Sequence, residues 1–292
     1  MPADTEVKTA ADRVAGLDRL ELGPATRDEA VLGTWARKAW KGTWPKVLAI
    51  AIAVGAWQLV VLSEWRPVFV LPPPARVLDE LVQVVPTAKF WDSVLLTMGR
   101  AATGFALAVV IGMVIGIAVA RFQPLRAAIG SLITGMQTMP SIVWFPFAIL
   151  LFKISEEAIL FVVVLGAAPS IANGLISGID YVPPTWKRVG QILGMRGFSL
   201  YRHLIIPASL PSFVTGLKQG WAFAWRSLMA GELLVIVPGA LSIGVRLQTS
   251  RDLNDAPGLL AYIIIVLCIG ILVDIVFSTV DKALRKRWGL TV

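Results

Sequence analysis

Six long apolar stretches, joined by shorter polar segments, set the pattern of this chain. They lie near residues 45–62, 93–120, 128–151, 157–177, 211–237 and 258–281. The stretches are continuous rather than alternating, which is typical of membrane-spanning helices and not of barrel strands. Because hydrocarbon offers the backbone no hydrogen bonds, each stretch must satisfy its own N–H and C=O groups as a helix. The pattern therefore predicts an all-α membrane protein with six transmembrane helices.

The polar segments predict how the rest of the chain is organised. Between the first two stretches, a stiff proline run is followed by apolar residues at helical spacing, which predicts a short surface helix. The expected divisions are a disordered cytoplasmic tail at 1–34, an interfacial segment with the first transmembrane helix at 35–62, an extracytoplasmic loop with the short surface helix at 63–92, a core of five transmembrane helices at 93–281 and a basic cytoplasmic tail at 282–292.

Composition excludes several functional classes. The mean hydropathy of +0.73, with 56% hydrophobic and 16% charged residues, is far from that of a soluble globular domain. Cys268 and His203 are the only residues of their types, which argues against an intrachain disulfide, a cysteine-based metal site and a Ser/His/Asp hydrolase. The sequence contains no Gly-Lys dipeptide and hence no P-loop, so any ATP must be used by another chain.

Basic residues predict the orientation. With the N-terminus inside, the inner segments after residue 30 hold 14 Lys and Arg residues and the outer segments hold six. Because cytoplasmic loops of membrane proteins carry the excess of Lys and Arg, both termini and the 178–210 loop are expected in the cytoplasm. The same excess accounts for the net charge of +8, so lipid and not nucleic acid is the expected contact.

The polar loop between the fourth and fifth apolar stretches contains residues that favour the starts and ends of two short helices. Pro184 suits a first helical turn, and Gly194 can end that helix in the left-handed conformation. Ser199 can cap a second helix, which Pro207 and Pro211 are expected to end. The loop is thus predicted to be a rigid helix-turn-helix.

This loop resembles the EAA loop of ABC importer permeases, which contacts an ATPase. The resemblance is carried by Gly194, nine intervening residues and then Leu204-x-Ile206-Pro207. Supporting stretches, from about residue 65 onward, are similar to the branch that imports nitrate, sulfonates, taurine, bicarbonate or a thiamine precursor. They are Leu71-Pro-Pro-Pro74, Met139-Pro-Ser-Ile-Val-Trp-Phe-Pro146, Ala168-Pro-Ser-Ile-Ala-Asn173, Trp225 with Glu232, and Asp274 with Arg285-Lys-Arg-Trp288.

The resemblance implies a type I ABC importer permease without enzymatic activity, in a prokaryotic plasma (inner) membrane. Its implied partners are a second copy of the chain, two ATP-binding subunits that hold the ATP and Mg²⁺, and an extracytoplasmic solute-binding protein. No cofactor or metal is expected on this chain. The implied substrate is a small anion such as a sulfonate, nitrate or bicarbonate, with a vitamin or thiamine-precursor type metabolite as the alternative.

The resemblance also implies which residues face the ATPase. Within the coupling loop 181–207 they are Trp186, Lys187, Arg188, Gln191, Ile192, Leu193, Gly194, Met195, Arg196 and Phe198. Two positions depart from the family pattern. Arg188-Val189-Gly190 stands where Glu-Ala-Ala is usual, which implies a more acidic ATPase groove, and Lys153 stands where a glycine is usual.

Polar and aromatic residues inside the spans are candidates for lining a pathway, since such groups usually face protein or water. Arg226 is the candidate for meeting an anion, and an internal ion pair or packing role is the alternative for each polar group. The candidates are Gln137, Thr138, Ser141, Trp144, Asn173, Trp221, Trp225, Arg226 and Glu232. Prolines at 140, 146 and 169 suggest kinked, pathway-lining helices.

Three acidic positions have structural interpretations. Asp274 is expected to pair with a basic group, and Glu156 and Glu157 to sit at a helix N-terminus after the capping residue Ser155.

The competing functional class is a self-sufficient channel or an ion-coupled secondary transporter, which would need an intramembrane charge relay. Glu232 and Asp274 are isolated in sequence, so this class is disfavoured.

Overall fold

The computed structural model describes the backbone of residues 25–287, which fall into two units divided after Trp65. The first unit contains one helix, α1 (Ala25–Leu62). Its portion Thr43–Leu62 has a mean hydropathy of 1.9, and none of it is buried. This portion agrees with the first predicted span. α1 begins within the segment predicted as a disordered tail, and the rest of that tail, residues 1–24, lies outside the described residues.

The second unit is helical in all its regular elements within the described residues. These are α2 (Pro74–Val84), α3 (Ala88–Arg121), α4 (Gln123–Thr138), a 3₁₀ turn (Ser141–Trp144), α5 (Phe145–Phe152), α6 (Glu156–Tyr181), α7 (Pro184–Ile192), a short turn (Phe198–Leu200), a π turn (Tyr201–Ile205), α8 (Ile206–Leu234), α9 (Ile243–Asp252) and α10 (Ala256–Arg287). The prediction of an all-α fold is confirmed. The predicted surface helix in 63–92 is α2, with Pro74 in its first turn.

The structure contains fewer helices of membrane-spanning length and apolarity than the six predicted spans. Four segments within residues 25–287 are long and apolar enough to cross a membrane: Thr43–Leu62, Ala88–Arg121, Glu156–Tyr181 and Ala256–Arg287. α4 and α5 together would supply a fifth. α8 is 29 residues long but is not in this set, and Lys218, Arg226 and Glu232 lower its apolarity. The sixth span therefore stays a prediction.

The predicted third span is broken at the proline position where the sequence suggests a kink, and the bend is larger than a kink. Pro124–Thr138 and Ser141–Phe152 meet at an angle of 102°. Met139 at the break is extended, with φ −79° and ψ 129°. The ring of Pro140 disfavours the helical conformation for the residue before it, which explains why the helix ends there. Pro169, by contrast, lies inside the unbroken α6.

α6 is the central helix of the second unit, packed between α3 and α8. Glycines make both contacts close: a Cβ on Gly112 would lie 2.8 Å from the carbonyl oxygen of Ala168, and one on Gly174 would lie 2.5 Å from the Cα of Gly216. Glycine therefore occupies the positions where these helices approach each other most closely. The main apolar core lies between these helices and includes the buried residues Phe145, Ala167 and Leu228.

Lys153, which stands where the family usually has glycine, adopts a backbone conformation that favours glycine. It ends α5 with φ 61° and ψ −157°, a backbone region that is essentially restricted to glycine. A glycine at this position would take the same conformation without steric conflict. The lysine therefore holds the connection between α5 and α6 under backbone strain.

Candidate functional site

The first half of the polar loop folds as the sequence predicts. α7 begins with Pro184 in its first turn and ends at Ile192. Gly194 follows with φ +83°, its N–H donates to the carbonyl of Gln191 at 3.0 Å, and the N–H of Met195 donates to the carbonyl of Gly190 at 2.9 Å. This pair of bonds is a Schellman motif, which satisfies carbonyls that a helix end leaves free. The prediction that Gly194 makes the turn is confirmed.

The second half of the loop differs from the expectation. The helical turn begins at Phe198 after Gly197, whose φ is 54°, and Ser199 lies inside the turn without capping it. Pro207 and Pro211 do not end a helix, because the chain continues helically through the π turn Tyr201–Ile205 into α8. Proline cannot donate the usual i→i−4 bond, and a π turn before it changes the local bonding pattern so that the helix continues. The second half of the loop is therefore a direct extension of α8.

A small apolar core holds the loop together. Val182, Leu200 and Ile205 are buried, and Met195 packs against them. Gly190 is buried under this cluster, where a Cβ would lie 2.8 Å from the Cδ1 of Leu200. The glycine at this position, where the family usually has alanine, allows α7 to lie close to the second half of the loop.

The outer face of the loop is apolar and basic. Ile192 is 84% exposed and Phe198 is 75% exposed, and Trp186 and Leu193 are also exposed. The polar members of the predicted coupling set are exposed or half-buried: Lys187, Arg188, Gln191 and Arg196. Met195 is half-buried against the loop core. The structure thus brings the predicted residues onto one short loop, with apolar groups between cations.

A polar groove runs along α6 and α8 next to the coupling loop. Its volume is about 980 Å³, and several hydroxyl and amide groups are interspersed among the apolar side chains of its walls. These groups belong to Asn173, Ser177, Ser212, Thr215 and Gln219, with Arg285 of α10 at the edge. The Arg285 guanidinium donates to Thr215 at 3.3 Å and to Asp281 at 3.0 Å. Asn173 is the pathway candidate that the structure brings to this groove.

The four candidates in the third span lie at the helix break. Gln137 donates from Nε2 to the carbonyl oxygen of Pro169 at 3.0 Å, which links α4 to α6. Thr138 donates to the carbonyl oxygen of Gly135 within its own helix. Ser141 and Trp144 form the 3₁₀ turn after the break. Their role as pathway residues stays a prediction.

The candidates on α8 face different surroundings. Trp221 and Trp225 are buried in the core, with their rings stacked 6.5 Å apart. Arg226 is exposed, its Nε donates to the carbonyl oxygen of Ala222, and its guanidinium lies 4.9 Å from the centre of the Phe223 ring. In the described part of the chain it forms no ion pair, so it is free to meet an anion from outside this chain.

Glu232 belongs to a buried ion network that the sequence did not reveal. Its carboxylate is fully buried and accepts from Nη1 of Arg100 at 2.9 Å, from the hydroxyl of Thr97 at 3.1 Å and from the N–H of Gly244 at 2.9 Å. Arg100 also donates from Nε to Glu156 at 2.7 Å. The network joins α3, α6, α8 and α9, because each helix supplies at least one group.

Two interpretations of the sequence change at the start of α6. Ser155 makes no capping hydrogen bond, and Glu156 is the partner of Arg100 rather than only a helix-start residue. Arg100 was missed because it lies in an apolar stretch far in sequence from both acids. Its position inside a span was the available signal, since a charge there requires a partner.

A second ion pair lies nearer the loop. Lys218 of α8 is 3.0 Å from Asp274 of α10 and also donates to Ser278 at 2.8 Å. The expectation that Asp274 pairs with a basic group is confirmed.

Within residues 25–287, no group of three or more His, Cys, Asp or Glu side chains could hold a metal ion.

Comparison with known proteins agrees with this architecture. The chain is similar to the taurine transport system permease protein TauC of Escherichia coli, with 24% identity over 85% of this chain and 94% of the relative. It is also similar to the nitrate import permease protein NrtB of Synechocystis, with 25% identity over 79% and 86% of the two chains.

Among solved structures, the fold is similar to a chain of the MetNI methionine ABC transporter in an inward-facing conformation. The TM-score is 0.57 at 16% identity, with 67% of this chain and 96% of that chain covered. The family model for the binding-protein-dependent transport system inner membrane component matches residues 108–286. The chain therefore belongs to this family of ABC transporter permeases.

Proposed function

We propose that this chain supplies half of the translocation pathway of an ATP-driven importer. Two copies would assemble with two ATP-binding subunits, and an extracytoplasmic solute-binding protein would deliver the substrate. Both termini and the coupling loop would lie in the cytoplasm, as the distribution of Lys and Arg predicts. The ATP and Mg²⁺ belong to the partner subunits.

The coupling loop is the observation that carries this proposal. Apolar side chains such as Ile192 and Phe198 are exposed to an extent that is unfavourable unless a partner covers them. The Schellman turn and the small core beneath it hold these side chains in one arrangement. Because the loop continues into α8, displacement of the loop by an ATPase would move α8 directly.

The polar groove supports a pathway on one side of the α6–α8 pair. Hydroxyls and amides spaced along both helices offer hydrogen bonds to a hydrated solute over the length of the groove. Two such grooves, one from each copy, would together enclose a polar passage. The groove lies on the same side as the coupling loop, so ATPase movement could open or close it.

A small anion is the proposed substrate, such as a sulfonate, nitrate or bicarbonate. The relatives above are named for taurine and nitrate. Arg226, exposed and without an ion-pair partner in residues 25–287, is the proposed contact for the anion. In the closed pathway this cation would attract negative solutes by its charge.

The experiment compares two variants with matched chemistry. Ile192→Asp places a carboxylate on the outer face of the coupling loop, and Leu253→Asp does the same at a 74% exposed position after α9. We expect the Ile192 variant to lose ATPase subunits during copurification and to lose ATP-dependent uptake of labelled anions by proteoliposomes. The Leu253 variant is expected to keep both. Retention of the ATPase by the Ile192 variant, or uptake by this chain alone, would contradict the proposal.

A further inference from the structure

A second groove beside the coupling loop has the opposite chemistry to the polar one. It has a volume of about 580 Å³ and lies where α3, α6 and α8 meet the second half of the loop. Its walls are almost entirely apolar, with Met113 and Ile117 from α3, Leu175 and Ile179 from α6, and Leu210 and Phe213 from α8.

The two grooves use different faces of the same two helices. On α6, Asn173 and Ser177 line the polar groove, while Leu175 and Ile179 line the apolar one. On α8, the hydroxyls and amides likewise face the polar groove. The apolar groove contains one serine, Ser209, and its hydroxyl is already bonded to the carbonyl of Ile206 at 3.0 Å. The apolar groove thus offers little to water and much to hydrocarbon.

A basic side chain, Arg121, lies at one end of the apolar groove, and this end adjoins the coupling loop. Arg121 ends α3, and its guanidinium lies 6.0 Å from the centre of the Tyr201 ring. The side chain is exposed and forms no ion pair within the described residues. Five residues on, Arg126 is paired with Asp180. Arg121 is therefore an unpaired cation, within the described residues, that lines the groove itself.

The length of the groove fits a chain that lies along the membrane normal. From Arg121 to Met113, α3 extends about 12 Å at the usual rise per residue. This direction leads away from the loop and into the apolar span, so a soluble subunit that filled the groove would have to enter hydrocarbon. A ligand with an anionic head and an apolar chain matches both ends.

We propose that this groove binds an anionic phospholipid of the leaflet that adjoins the coupling loop. One acyl chain lies between α3 and α8 against Leu175 and Ile179, and the phosphate of the headgroup binds Arg121. Because Gly197 and Phe198 also border the groove, the bound lipid contacts the coupling loop. The loop would then be supported by lipid on one side while its outer face binds the ATPase.

The test uses the full complex with its ATPase subunits, purified in detergent and stripped of lipid. Native mass spectrometry measures the binding of phosphatidylglycerol and of phosphatidylcholine with the same acyl chains. We expect the wild-type complex to prefer phosphatidylglycerol by about fivefold, since one basic residue near an anionic headgroup contributes about 1 kcal/mol. Arg121→Gln should remove this preference, and the matched control Arg126→Gln should keep it.

A second variant tests the acyl-chain part of the site separately. Ile117 is exposed, and Ile117→Trp would fill the groove with a ring, so the variant should bind less of both lipids. The proposal would be overturned by an unchanged preference in Arg121→Gln, by equal binding of the two lipids to the wild type, or by unchanged lipid binding in Ile117→Trp. Loss of the dimer in Ile117→Trp would also overturn it and assign the groove to the second copy.

Discussion

Replacing Gly194 with valine is the sharpest test of the coupling loop. The residue has φ +83°, a conformation that costs an L-residue about 1–3 kcal/mol, with β-branched side chains at the upper end. No atom lies within 4 Å of the position that a Cβ would take, so the cost comes from the backbone and not from a clash. About 2 kcal/mol shifts the balance between the native turn and its alternatives by roughly 30-fold.

The hydrogen bonds of the turn give this prediction a direct readout. The N–H of Met195 is bonded to the carbonyl of Gly190, and we expect its hydrogen exchange to accelerate in Gly194→Val. The complex should insert normally into the membrane but lose the stimulation of ATP hydrolysis by the binding protein and lose uptake. Both effects follow from a loop that no longer presents one fixed surface.

Gly239 supplies the matched control. It has φ +80°, and like Gly194 it has open space around the position of a Cβ, but it lies after α8 at the opposite end from the coupling loop. Gly239→Val carries a similar backbone cost and should keep ATPase coupling. Normal uptake and unchanged exchange at Met195 in Gly194→Val would refute the reasoning, as would equal uncoupling by the Gly239 variant.

Three further changes test other parts of the molecule. Arg100→Met leaves the Glu232 carboxylate buried without its cation, which should cost about 3–5 kcal/mol and lower the melting temperature of the complex; adding Glu232→Gln should restore part of the loss. Lys153→Gly relieves a conformation that costs about 1–3 kcal/mol, so the melting temperature should rise, whereas Lys153→Ala should give no such rise. Arg226→Gln should leave assembly and basal ATP hydrolysis intact but impair anion uptake, and normal uptake would remove Arg226 from the pathway.

Short-range chemistry made the coupling loop predictable from the sequence. Proline in a first turn and glycine after a last turn act within a few residues, so the start at Pro184 and the turn at Gly194 could be expected. The continuation through Pro207 could not, because it depends on a π turn that no simple residue pattern marks. The break before Pro140 was expected only as a kink, since the angle depends on how α4 and α5 pack.

Ion pairs between residues far apart in the chain could not be predicted from the sequence. Arg100 is 56 residues from Glu156 and 132 from Glu232, and periodicity says nothing about contacts at such separations. Glu232 was recognised as a costly charge, but its partner was not. The sequence also did not predict the two grooves. Their positions depend on which faces of α6 and α8 remain uncovered once the glycines allow these helices to pack closely.

The close approach of Gly174 and Gly216 constrains how the molecule can move. Backbone lies against backbone at this point, with no side chain between the two helices. The coupling loop is joined to both helices, to α6 at Tyr181 and to α8 through the π turn. The second half of the loop runs into α8 without a break, whereas the extended residue Val182 separates the first half from α6. A displacement of the second half of the loop would therefore move α8, and the close contact at Gly174 would carry α6 with it.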